Sequence, residues 1–124
     1  MVVIGWSLAF SAWALGDKPL KIIVPAPPGG TTDIAARVVG QQISVDIGRP
    51  VIVENRPGAS GSIGLNAMLQ AAPDGDTIVV GPNNMLVESP HVLKVPYEPL
   101  KDIVSIARVA KTSYVLVTAA TYPA

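Results

Sequence analysis

The chain has 124 residues, 49% of them hydrophobic, and sets nine Lys and Arg against nine Asp and Glu. That length suits a single domain of roughly 100–150 residues. A zero net charge with no run of like charge excludes a broad electrostatic surface for nucleic acid or anionic membrane, and the absence of Cys is compatible with either a reducing compartment or export without disulfides.

Met1 to Gly16, "MVVIGWSLAFSAWALG", is uncharged, and the first charged side chain is Asp17. About fifteen apolar residues fall short of the roughly 20 that a transmembrane helix needs. The segment reads as the apolar region of an export signal without its basic leader, and Ala12-Trp13-Ala14 is an A-x-A cleavage site that starts the mature chain near Leu15. Residues 1–14 are therefore expected to be a signal peptide and residues 15–124 the exported mature domain, with no stable membrane insertion once the signal is removed.

Short runs rich in Val and Ile then alternate with longer helical stretches. Leu20 to Val24, Pro50 to Glu54 and Thr77 to Val80 are near-continuously apolar, as buried parallel strands are. Between the first two, Thr32 to Ile47 predicts a helix with Ala35, Val39, Ile43 and Ile47 on one stripe and Ile34 and Val38 beside it; Gly48 and Pro50 end it. A second helix is expected over about Ser62 to Ala72, with Ile63, Ala67, Met68 and Ala71 inward, stopping before Pro73-Asp74-Gly75. After Gly81 a short helix and loop are expected, then strand-like runs at Ile103 to Val109 and Tyr114 to Thr118. Strand and helix in alternation with short connections predict an α/β fold of βαβ units around a parallel sheet.

Ligands of open parallel sheets bind beyond the carboxyl ends of the strands. Three segments fall there: Ala26 to Asp33, Asn55 to Gly64 and Gly81 to Met85. Gly29 and Gly30 let the backbone expose successive N–H groups, and the following helix start adds unpaired amides and partial positive charge, which together suit an anion. Hydroxyls of Thr31 and Thr32 add further donors, whereas Asp33 reads as a first-turn residue. The bland alternative is a well-made turn with a Thr N-cap. "GASGSIG" spaces Gly58, Gly61 and Gly64 evenly and matches no dinucleotide fingerprint, and no phosphate-binding G-x-x-x-x-G-K-[ST] occurs. His91 is the single histidine, so a metal or nucleophile-base centre has little to rest on; Asp74 and Asp76 read as turn chemistry. No catalytic residue, metal ligand or cofactor is assigned.

"KIIVPAPPGGTTDIAARVV", "GRPVIVENRPGASGSIG", "AAPDGDTIVVG" and "VPYEPLKDIVSIARVA", in this order, resemble the amino-terminal part of the Bug family, the periplasmic solute-binding proteins of tripartite tricarboxylate transporters. The resemblance covers nearly all of Pro19 to Ala124. It implies part of the first lobe of a two-lobed, type II periplasmic binding protein, ending near the hinge and without the second lobe. It also implies a small carboxylated solute held largely by main-chain amides and presented to membrane transporter subunits. Ligand contact is implied for Gly29, Gly30 and Thr31, for Ala59, Ser60 and Gly61, and for Gly81 to Asn84, with Asn83 or Asn84 donating to a second polar group; Thr32 is included for its place at the helix start. The family often has Phe where Ala26 stands, Asn where Ser62 stands and Asn-Pro where Ser89-Pro90 stands. Alternatives are a small α/β enzyme with a Gly-rich anion site, or an inactive gene fragment.

Overall fold

The computed structural model describes residues 18–113, 115 and 117. The expected signal peptide at residues 1–14 lies outside the described residues.

Three parallel strands form the sheet: β1 (Leu20–Val24), β2 (Val51–Asn55) and β3 (Thr77–Val79), in the order β2-β1-β3. Val24 stands level with Asn55, and Ile23 with Val79. Helix α1 (Thr31–Ile47) links β1 to β2, and α2 (Ser62–Leu69) links β2 to β3. Chain order and parallel pairing thus make two βαβ units that share β2, the second crossing over β1 to reach β3, as the alternation of elements predicts.

The central strand is buried on both faces because the two helices take one face each. Ile22 and Val24 pack with Ala36 of α1 and with Val51, Val53 and Ile78. On the other side, Leu65 of α2 joins Met85, Tyr97 and Val79 in a second cluster. Complete burial of an aliphatic side chain contributes about 1.5–3 kcal/mol, so Ile22, Val24 and Leu65 anchor the unit. Met85 and Leu86 of the one-turn helix α3 (Asn84–Val87) enter the second cluster, and two further one-turn helices follow, α4 (Ser89–Val92) and α5 (Pro99–Asp102).

The buried face of helix α1 is centred on small residues beside the expected stripe rather than on the stripe itself. Its buried residues are Asp33, Ala36 and Gly40, while Ile34 and Val38 are 56% and 65% exposed. The reason is proximity: a Cβ at Gly40 would stand 3.1 Å from both Ile22 Cδ1 and Val51 Cγ1. Small residues let the helix axis sit low on the sheet; Ala35, Val39 and Ile43 of the expected stripe are half-buried at its flank, while Ile34, Val38 and Ile47 are turned outward. Ile63 of α2 is likewise exposed, with Gly64 and Leu65 inward.

Boundaries shift elsewhere. Helix α2 ends at Leu69 rather than near Ala72, since Pro73 disfavours helical backbone in the residue before it. Ile103 to Val109 forms no strand; Val104 is 88% and Ile106 81% exposed. Strand propensity needs an edge to pair with, and among the described residues no strand lies alongside this run. The Tyr114 to Thr118 run falls partly outside the described residues, and Val115 and Val117 are exposed.

The amino ends of the strands are held by charge. Asp76 accepts from Arg49 at 2.6 Å and pairs with Lys18 at 3.2 Å, and Asp74 pairs with Lys18 at 2.5 Å. The amide of Asp76 donates to Asp74 Oδ1, so the expected turn chemistry is present and these side chains also join three strand starts.

Gly40→Leu is expected to lower the unfolding free energy by about 1–3 kcal/mol, the usual cost of overpacking. Val38→Ser, on the exposed side of the same helix, is expected to stay within about 0.5 kcal/mol. Urea titration of both variants is the check.

Candidate functional site

All three glycine-bearing loops leave the carboxyl edge of the sheet and meet over Pro25, which ends β1 and is buried. A Cβ on Gly64 would stand 2.8 Å from Pro25 Cβ and 3.0 Å from the Arg56 carbonyl oxygen; one on Gly81 would stand 2.8 Å from Pro25 Cγ. A Cβ on Gly61 would stand farther off, 3.3 Å from Met85 Cβ and 3.5 Å from Pro25 Cβ. These glycines are where backbone meets ring, and their lack of a side chain lets the loops converge.

The first loop is locked from beneath. Asp33 is 3% exposed, and its carboxylate accepts from the Gly29 amide at 2.9 Å, from Arg37 at 3.0–3.1 Å and from Asn55 Nδ2 at 2.9 Å. Asn55 Nδ2 also donates to the Ala26 carbonyl at 3.0 Å, and Asn55 Oδ1 accepts from Arg37 at 3.2 Å. Bonds from Arg37 first, then from Gly29 and Asn55, hold the Asp33 acid down to about 2. Gly29 sits at φ +82°, a conformation that favours glycine. Its amide is thus occupied within the protein. Gly30 is the extended residue before the helix, with no side-chain cap from either threonine. The expected Thr N-cap is therefore replaced by Gly30, with Asp33 satisfying the loop instead. Helix geometry leaves the first-turn amides, those of Thr31 and Thr32 among them, without intrahelical partners.

The second loop is a left-handed turn. Gly58, Ala59, Ser60 and Gly61 all have positive φ, at 122°, 45°, 52° and 92°. For Ala59 and Ser60 that conformation costs about 1–2 kcal/mol each, so surrounding structure must hold it. The Gly61 amide donates to the Gly58 carbonyl at 3.0 Å. Just beyond, the Tyr97 hydroxyl donates to the Met85 carbonyl at 2.7 Å and lies 3.3 Å from the Ser62 hydroxyl, tying the start of α2 to α3.

In the third loop Gly81, Pro82 and Asn83 are exposed, and Asn84 begins α3 with a buried Oδ1 that has no partner among the described residues. The structure thus gathers the sequence-selected residues at one sheet edge in three groups: Gly29, Gly30, Thr31 and Thr32; Ala59, Ser60 and Gly61; Gly81, Asn83 and Asn84. Arg37 and Arg56, the arginines at this edge, are paired with Asp33 and Glu54. His91 is exposed on α4. Among the described residues no helix is long and apolar enough to cross a membrane.

Sequence reasoning missed Arg37, Asn55, Ser62 and Tyr97. Asp33 and Arg37 carry a legible i, i+4 spacing, but Asn55 joins them only through the β1–β2 register.

Residues 35–124 match the model of the tripartite tricarboxylate transporter family receptor. The protein BugT of Bordetella pertussis is 39% identical over 116 residues, covering 92% of this chain and 36% of its own length. Among solved structures, MatC from Rhodopseudomonas palustris with bound malate is 31% identical with a TM-score of 0.58, over 68% of this chain and 29% of that one. A second R. palustris protein, solved with adipate, is 30% identical with a TM-score of 0.53, over 60% of this chain and 24% of that one. The chain therefore spans about a third of the length of the curated relatives it matches.

The depressed Asp33 acid predicts acid lability. A carboxyl whose folded pKa lies below its unfolded value near 3.8 stabilises fully above that value, and the contribution is lost as pH falls toward about 2. Asp33→Asn should therefore destabilise the chain at neutral pH and flatten the acid limb of a thermal-denaturation profile between about pH 4 and pH 2. The slope that remains comes from Glu54, Asp74 and Asp76, held below the usual carboxylate range chiefly by Arg56, Lys18 and Arg49 respectively.

Proposed function

The chain belongs to the tripartite tricarboxylate transporter receptor family, and from that premise we propose that it is a periplasmic solute-binding protein that presents a small carboxylated solute to a tripartite tricarboxylate-type transporter. The family is one of receptors, so the reading is of binding and not of catalysis. In this reading residues 1–14 are an export signal and residues 15–124 supply part of the first of two lobes that close on the solute.

One observation carries the proposal. Three loops converge at the carboxyl edge of a parallel sheet beside a helix start, while the arginines at that edge are already neutralised by Asp33 and Glu54. The donors left for an acid are main-chain amides and hydroxyls of Gly30, Thr31 and Thr32, with Ala59, Ser60, Gly81, Asn83 and Asn84 at the same edge, while the Gly61 amide already serves the Gly58 carbonyl. A hydrogen bond to a charged acceptor contributes about 1.5–3 kcal/mol, so a few such donors hold a carboxylate without a free cation. Gly29 contributes through its left-handed turn, since its amide already serves Asp33. That the structural neighbours MatC and its R. palustris counterpart were solved with malate and adipate supports an acid as the solute.

The test is calorimetric titration of the chain, and of a full-length relative sharing its three loops, with malate, adipate, citrate and uncharged glucose. Heat with at least one acid and none with glucose is expected; tight glucose binding with silence toward every acid refutes the reading. Gly30→Leu sharpens it, because Gly30 has ordinary φ and an added Cβ would sit 3.6 Å from the Pro27 carbonyl, an unstrained contact. The variant is expected to melt with the parent yet bind the preferred acid about ten-fold or more weakly, a loss of roughly one charged hydrogen bond.

A further inference from the structure

We propose that Asn55 is a positioning residue of this site: from the end of β2 its carboxamide holds Asp33, and through Asp33 it sets the backbone of the first loop. The inference rests on the solute-binding reading for the purpose of the loop, but its geometry stands independently.

Asn55 sits level with Val24, the last residue of β1, so its side chain reaches the point where the first loop departs. One carboxamide makes three bonds there: Nδ2 to the Ala26 carbonyl and to Asp33 Oδ1, and Oδ1 from Arg37. Each partner has a fixed polarity. Ala26 and Asp33 can only accept, and Arg37 can only donate. At this position a carboxamide meets all three demands at once, whereas a carboxylate would set a third acceptor against two others and an aliphatic side chain would leave the buried Asp33 short of a donor. Asp33 passes the constraint on, because its other oxygen, Oδ2, takes the Gly29 amide and so holds the left-handed turn that leads into Gly30, Thr31 and Thr32. The amides proposed to meet the acid are thus aimed by a strand residue that need not touch it.

The Gly29 amide reports this directly by NMR in the unliganded chain. In Asn55→Ala, Gly29 hydrogen exchange is expected to rise by about ten-fold or more, the scale of one bond to a charged acceptor, while the amides of Ile22 and Ile23 in β1 keep their protection. Asn55→Asp offers a control within one polypeptide. The charged groups facing the new carboxyl are Asp33 and Arg37 of α1; neighbouring Glu54 and Arg56 pair with each other, and Lys21 with Glu54. Two carboxylates competing for one arginine favour protonation of the new acid, which would restore a donor toward Asp33. The Gly29 amide shift of Asn55→Asp should therefore differ from the parent at pH 7 and return toward it as pH is lowered to about 5, while the parent shift stays constant.

Malate titrations of the same proteins complete the test, with weaker binding expected for Asn55→Ala. Unchanged Gly29 exchange in Asn55→Ala, a Gly29 shift in Asn55→Asp that ignores pH, or parental malate affinity despite a released Gly29 each overturn the proposal. If Asn55→Ala loses core protection altogether, the pH response of Asn55→Asp decides. If the parent binds no acid at all, the solute reading fails, and the Gly29 measurements still show whether Asn55 sets the loop.

Discussion

Everything at the carboxyl edge depends on how closely backbone can approach the ring of Pro25. A proline there ends β1 without asking for a ladder bond, and its buried ring becomes the surface on which loops two and three are seated. Gly64 and Gly81 come so near that even one added carbon would collide. The sharing is what matters: each loop is positioned by the same ring, so a shift in one displaces the others. Tyr97 strengthens the coupling by bonding to the Met85 carbonyl beside Ser62, which ties the helix after the second loop to the helix after the third.

Much of this architecture was legible. Val- and Ile-rich runs marked the three strands, and their near-continuous apolarity showed that they lie parallel and covered. The glycine loops fell at the carboxyl edge as the strand-helix alternation requires. What was not legible was depth. Periodicity placed Ala35, Val39 and Ile43 of α1 near the sheet but not the line of closest contact, because Ala36 and Gly40 allow a close approach that hydropathy scores as unremarkable. Nor could spacing reveal Asn55 as a partner of Asp33, since a register between strands brings together residues 22 positions apart. The run from Ile103 to Val109 failed for a related reason: propensity belongs to the segment, but a strand belongs to a pair.

Asp33 poses an electrostatic question, because a buried negative charge lies within one helical turn of amides proposed to hold another. The structure answers by neutralising it locally. Arg37 pairs with both carboxylate oxygens, Gly29 and Asn55 supply neutral donors, and the acid remains ionised far below physiological pH. A charge so enclosed acts as a fixed strut. Its field at the loop is largely cancelled by the guanidinium beside it, while its directional bonds persist.

The two ends of the sheet therefore hold their loops by opposite means. At the amino end, Lys18, Arg49, Asp74 and Asp76 are linked side chain to side chain, joining the starts of the strands where no ligand is expected. At the carboxyl end Asp33 is buried, Arg37 and Arg56 are half-exposed but each paired with a carboxylate, and the rest of the face is left to glycine, proline, small hydroxyls and amide. A free arginine there would hold any anion in many poses; a set of main-chain donors holds an acid only where their directions converge. In the proposed reading, selectivity then passes from the sign of charge to the shape of the loops, and a small difference at a rim, such as Ala26 in place of a bulkier side chain, becomes a variable that distinguishes one acid from another.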